Sequence, residues 1–189
     1  MKKVLCIALV VALAGIGYAE EQAAKERYVG LGYQGATYNE DGFDEDIQMN
    51  GAYISYGSKF HEYIAGEIKI GFLTGTLDMD NAFGTGVDIS ATLTGVNTDI
   101  IIKPQYAIEQ FSVYGMLGLS FLFTSIDVEG SFGGVTESET TTDSALGFVI
   151  GAGVAYDFGN FGVNAEVSTY QYSDYDLTPL FSIGGRYNF

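Results

Sequence analysis

The chain has 189 residues, about one domain, and 47% of them are hydrophobic while only 17% are charged. That excludes a disordered chain and leaves little charge for a soluble surface, and 26 glycines with 2 prolines exclude collagen-like and proline-rich classes. With 24 Asp+Glu against 8 Lys+Arg the net charge is −16, so the clustered cations that phosphate requires are missing and no nucleic-acid partner is expected.

The chain opens as a targeting segment. Lys2 and Lys3 form a basic start, and Val4 to Ile16 is an unbroken run of apolar or small residues. Thirteen residues are too few to span a bilayer as a helix and typical of the apolar part of an export signal. Gly17-Tyr18-Ala19 places small residues at a cleavage site, so 1–19 is expected to be removed, and Cys6 with it. The mature part then has no cysteine, 24 acids and 6 bases. An export signal with no second apolar run of helical span leaves a soluble exported protein or a transmembrane β-barrel.

Residues 20–26 read as a periplasmic arm and 27–189 as the barrel. Period-2 alternation recurs in eight blocks, at 27–38, 48–59, 62–73, 93–106, 111–125, 145–157, 161–172 and 179–189. In 145–157, Leu146, Phe148, Ile150, Ala152, Val154 and Tyr156 face one way, and Gly147, Val149, Gly151, Gly153 and Ala155 the other. In 161–172, Phe161, Val163, Ala165 and Val167 oppose Gly162, Asn164, Glu166 and Ser168. One face is apolar or aromatic and the other small or polar, the inverse of a soluble sheet. The expected fold is all-β, an eight-stranded antiparallel up-and-down transmembrane barrel.

The connections alternate in length. Residues 39–47, 74–92, 126–144 and 173–178 read as long polar loops, and 60–61, 107–110 and 158–160 as tight turns. Long loops at one end, with short turns and both termini at the other, is the outer-membrane arrangement. Tyr28, Tyr38, Tyr56, Tyr63, Tyr106, Tyr156, Phe158 and Phe161 fall near block ends, where aromatic girdles sit.

The last block ends Ser182-Ile-Gly-Gly-Arg-Tyr-Asn-Phe189. Ser182, Gly184, Tyr187 and Phe189 match the polar, glycine, aromatic, aromatic pattern that resembles the C-terminal signal read by the barrel assembly machinery. With this signal and eight alternating blocks, the chain resembles the small eight-stranded outer-membrane barrels of the OmpA transmembrane domain, OmpX and opacity-protein type. It departs from OmpA in stopping at Phe189 without a peptidoglycan-binding domain, and in lacking Trp. The resemblance implies the bacterial outer membrane, contact with its lipid and lipopolysaccharide, and roles in envelope integrity, adhesion or host interaction.

Few residues carry chemistry. His61, the sole histidine, falls at a tight turn with no serine placed for a triad, so no enzymatic activity is expected. Gly30, Gly32 and Gly35 fit a dinucleotide motif by letter, but a strand end and turn follow rather than a helix, so these glycines are expected to make room inside the barrel. Glu67, Lys69, Asp99, Lys103, Glu166 and Arg186 all fall on the inward face. Three acids and three bases suggest a neutral interior, with Glu166 opposite Arg186, Lys69 near Asp99 and Glu67 near Lys103. A buried charge needs a partner, so an ion-pair network plugging the lumen is expected, with Lys103 the member nearest to solvent. Tyr114 and Met116 would help fill it.

The long connections hold 15 acids and no Lys or Arg. No cofactor is expected beyond Ca²⁺ or Mg²⁺ held loosely by this crown, with Asp44, Asp46, Asp78 and Asp80 as weak candidates. The composition supports a closed structural or surface-interaction barrel displaying acidic loops toward an extracellular partner. The alternative is a small porin-like channel for ions or small solutes.

Overall fold

The computed structural model describes residues 26–38, 47–82, 87–132, 135–172 and 176–189. The expected targeting segment 1–19, nearly all of the arm 20–26, and Asp44 and Asp46 lie outside them. The strands are β1 (Arg27–Tyr38), β2 (Ile47–His61), β3 (Ile64–Ala82), β4 (Val87–Ile108), β5 (Phe111–Phe132), β6 (Val135–Phe158), β7 (Phe161–Tyr172) and β8 (Asp176–Asn188). Each pairs antiparallel with its sequence neighbour, and β1 with β8 closes the ring. The closing register runs from Tyr28↔Asn188 to Gly35↔Phe181. Closure gives every strand of the ring two hydrogen-bonding neighbours, the requirement for a sheet surrounded by hydrocarbon.

Alternation carries through to burial. Val29, Leu31, Ile54, Ile70, Phe72, Ile100, Ile102, Leu117, Phe148, Ile150, Phe181 and Ile183 stand on the outer surface. Between them in sequence, Gln34, Glu67, Lys69, Asn97, Asp99, Ser120, Glu166 and Ser182 are buried in the lumen. Phe60, Tyr63, Tyr106, Phe111, Tyr156, Phe158, Phe161, Tyr187 and Phe189 ring the short-turn end as a girdle. Tyr28 is a correction to the girdle: it keeps the inward parity of β1, is 9% exposed, and donates its hydroxyl to Glu67.

The short turns are two residues long, at 62–63, 109–110 and 159–160. β2 runs to His61 through an irregularity between Lys59 and His61, so the first turn falls beyond the expected 60–61. Gly159 has φ of 79° at the first turn position, a conformation glycine adopts without strain.

The two longest connections differ from expectation. Residues 74–92 and 126–144 are mostly strand, not open loop. β3 and β4 stay paired to Ala82↔Val87, β4 and β5 to Asp88↔Ser131, and β5 and β6 to Phe132↔Val135. On the outer sides, β2 pairs with β3 only as far as Thr74, and β7 pairs with β6 only from Gly147 onward. β3–β6 therefore rise beyond the ring as a four-stranded sheet with two open edges. Past Leu77 and Leu93, which are buried at its base, the described residues of this extension are exposed or half-buried, so apolar alternation fades while Thr, Val and Ser keep the backbone extended.

Inside the ring, glycine makes room for aromatic rings. A Cβ on Gly153 would stand 2.6 Å from the Tyr114 ring, and Cβ atoms on Gly57 and Gly32 would overlap the rings of Tyr28 and Tyr53. Of the three motif glycines, Gly30 and Gly32 face the lumen as expected. Gly35 has the opposite parity, and its Cβ direction points toward Asn50 Oδ1 and the outward-facing Tyr33. Gly153→Val is expected to lower stability by about 1–3 kcal/mol through overpacking against Tyr114. Gly130→Val, where nothing lies within 4 Å, should be near neutral. Urea unfolding of the refolded protein in detergent micelles compares the two.

Candidate functional site

The lumen is filled in layers, and the central one is organised by Glu166 on β7. Its Oε2 accepts hydrogen bonds from Lys69 Nζ and, at 3.2 Å, from Ser182 Oγ. Its Oε1 accepts from Lys103 Nζ at 2.8 Å and from the Tyr114 hydroxyl at 2.9 Å. Lys103 also pairs with Glu67 Oε2 at 2.8 Å, and Tyr28 donates to the same oxygen at 2.7 Å. The two ammonium groups lie over aromatic faces, Lys69 4.6 Å from the Tyr53 centroid and Lys103 4.8 Å from that of Tyr114. Five strands thus meet at one carboxylate. Its side chain and that of Lys69 are each 1% exposed, so the group is held by partners rather than by water.

Toward the long-connection end lies a second polar layer. Asp99 Oδ1 accepts from Ser120 Oγ at 2.5 Å, and Oδ2 from Asn97 Nδ2 and the Tyr170 hydroxyl, both at 2.8 Å. Ser120 shares a further 2.8 Å hydrogen bond with the Tyr172 hydroxyl. Ile101, Met116 and Val149, each 1% exposed, pack along the lumen in the same inward rows. Beyond Asp99 in strand order, Ala36, Met49, Leu73, Leu93, Leu122 and Leu180 form an apolar cap. At the short-turn end, Arg186 grips Asp157 through Nε at 3.1 Å and Nη2 at 2.5 Å, and Asn188 adds a 3.2 Å bond. This pair borders a vestibule of ≈ 530 Å³ that also involves Glu26, Lys59 and Ser112.

All six charges expected inside are inside, but their partners differ from expectation. Glu67 does meet Lys103. Glu166 does not meet Arg186, which turns to Asp157 at the mouth. Lys69 stands opposite Asp99 in register yet crosses the lumen to Glu166. Lys103, expected nearest to solvent, is 5% exposed and bridges two carboxylates. Two further charges share the inward parity at the mouth, Asp157 after Ala155 on β6 and Lys59 opposite buried Ala65 on β2, so four acids face four bases. Tyr28, Gln34, Asn97, Ser120, Tyr170 and Tyr172 complete the network, and inward parity was the signal for each.

Ser182 and Gly184 of the C-terminal pattern face inward. Ser182 bonds Glu166, and a Cβ on Gly184 would overlap the Tyr53 hydroxyl. Tyr187 and Phe189 face outward with their rings stacked at 6.4 Å. Asp78 and Asp80 lie on β3 rather than in a loop. Among the described residues no three His, Cys, Asp or Glu side chains gather to hold a metal ion. His61 is exposed, its Nδ1 accepting the Tyr63 amide at 3.3 Å.

The family model of the outer membrane protein beta-barrel domain matches residues 6–189. No protein with a curated description matches. Among solved structures, the chain resembles Ail, the attachment invasion locus protein of Yersinia pestis, in complex with the heparin analogue sucrose octasulfate. That match has 19% identity and a TM-score of 0.55, over 88% of this chain and 100% of that one. It also resembles Neisserial surface protein A, with 15% identity and a TM-score of 0.54 over 88% and 100%. A major outer membrane protein from Thermus thermophilus matches with 13% identity and a TM-score of 0.60, over 88% and 100% as well. At these identities the likeness is one of fold.

The layering ranks the charges. Glu166→Gln leaves Lys69 buried with its partner weakened and should cost about 3–5 kcal/mol. Asp157→Asn, at a half-open mouth, should cost about 1 kcal/mol or less. Guanidinium unfolding in micelles, followed by tyrosine fluorescence, reads both.

Proposed function

The chain belongs to the outer membrane protein beta-barrel domain family and is a barrel of the bacterial outer membrane, and from that premise we propose that it is a closed anchor presenting an acidic sheet to the exterior. The observation that carries this reading is the contrast between a filled ring and an unfilled extension. Within the ring, ion pairs, Ile101, Met116, Val149 and the apolar cap occupy the lumen. Beyond it, β3–β6 continue with open edges and little apolar surface to hide.

The extension has one sign. Asp127, Glu129, Glu137, Glu139 and Asp143 are all exposed on the β5–β6 hairpin. Among the described residues, Arg27, Lys59 and Arg186 lie at the short-turn end, and Lys69 and Lys103 lie inside the lumen. The complementary partner is a basic protein surface, met by charge and by strand addition at an open edge. The Ail structure holds a polysulfated ligand, and the charge displayed by this chain argues against that ligand class here. Divalent cations bridging the acids to anionic lipopolysaccharide would relieve the repulsion between crown and leaflet. The C-terminal strand, with Tyr187 and Phe189 outward, suits recognition by the assembly machinery. The reading includes no catalytic step.

Liposomes carrying the refolded protein should bind a lysine- and arginine-rich peptide, and binding should weaken as salt rises. Replacing Asp127, Glu129, Glu137, Glu139 and Asp143 with Asn or Gln should abolish most of it while the barrel stays folded. Binding of sucrose octasulfate with no binding of the basic peptide would contradict the reading.

A further inference from the structure

Glu67 is only half satisfied by the chain. Its Oε2 takes Lys103 Nζ at 2.8 Å and the Tyr28 hydroxyl at 2.7 Å. Its Oε1 is buried and, among the described residues, has no hydrogen-bond partner. A bare carboxylate oxygen inside a barrel set in hydrocarbon is costly, so this atom calls for a donor. It does not call for a further cation, because Lys103 already lies against the other oxygen.

The same side chain borders a small void of ≈ 10 Å³, lined also by Gly30, Tyr53, Ser55, Asn164 and Arg186. That is about the least room in which one water molecule fits. The polar groups around it have hydrogen-bonding capacity to spare. The Tyr53 hydroxyl accepts from Asn164 Nδ2 at 3.1 Å, which leaves its own proton to give. Arg186 spends Nε and Nη2 on Asp157, which leaves Nη1. Ser55 brings a second hydroxyl. Gly30 keeps the space clear, since a Cβ there would stand 2.5 Å from Ser55 Oγ. One needy acceptor and several donors thus surround a volume suited to one small molecule that both donates and accepts.

We infer that this void binds a single structural water, which donates to Glu67 Oε1 and accepts from the hydroxyl and guanidinium groups around it. The water ties the central layer to the mouth, where Arg186 holds Asp157. Tyr28 and Arg186 line both the void and the vestibule, with the guanidinium carbon 5.5 Å from the Tyr28 ring centroid. These two side chains are the partition between periplasmic water and the trapped molecule. The inference rests on the filled lumen of the closed-anchor reading, but the two fail separately: an open channel is seen as conductance, and a missing water in electron density.

The test is a crystal structure of the refolded wild-type protein at a resolution that shows ordered water. One isolated peak should lie within hydrogen-bond distance of Glu67 Oε1 and of at least one of Tyr53, Ser55 and Arg186. No peak there, or Arg186 bonded directly to Glu67 Oε1, would overturn the inference. Thermal unfolding in micelles gives a second reading. Gly30→Ala combined with Ser55→Ala puts a methyl group into the void without meeting Ser55 Oγ. Expelling a bonded water strips Glu67 Oε1, so the midpoint should fall by about 5 °C. In a dry void the methyl would only improve packing, and a midpoint equal to or above that of wild type would contradict the inference. The crystallographic result decides the matter whether or not the double variant folds.

Discussion

An eight-stranded ring encloses only enough space for its own side chains, and here a carboxylate sits near the middle of that space. Glu166 cannot be hydrated there, so its four hydrogen bonds must come from the chain. They come from β3, β4, β5 and β8, which fixes those strands around β7 in a single register. A slip of β7 by one residue would turn Glu166 to the lipid, leaving Lys69 without its carboxylate and Lys103 with Glu67 alone. The same interaction that fills the lumen therefore selects the fold.

The other arrangements accommodate this centre. Rings that carry the hydroxyl donors, Tyr28 and Tyr114, need room, and glycines at Gly57 and Gly153 supply it. Lys69 and Lys103 are long enough to cross the lumen, and Tyr53 and Tyr114 receive their charge on aromatic faces. The polar interior then leaves the apolar residues to the outside, where hydrocarbon covers them. The apolar cap at the far end separates the polar layers from the extension. That separation lets β3–β6 continue as an acidic, open-edged sheet without disturbing the buried charges.

Much of this was legible in the sequence because parity is a local property. Leu146 to Tyr156 and Phe161 to Val167 announce their faces residue by residue, and closure into an even-stranded ring follows from their number. Inward placement of Glu67, Lys69, Asp99, Lys103, Glu166 and Arg186 was legible for the same reason. Their pairing was not. Lys69 ignores Asp99 beside it and reaches a residue 97 positions away, because a lysine stem spans the narrow lumen as easily as it reaches a neighbouring strand. Asp157 and Tyr28 escaped because block ends read as solvent or girdle, although their parity pointed inward. The extension escaped because Thr136 to Ser144 is polar throughout, and strands without a buried face leave no hydrophobic signature.

The central claim is that the filled lumen is closed. Single-channel recording of the refolded wild-type protein in a planar bilayer tests it most directly. The account expects a silent membrane after insertion, at either polarity. Stable, reproducible unitary steps from wild type would contradict it, and would make the Glu166 cluster and the apolar cap the lining of a conducting path.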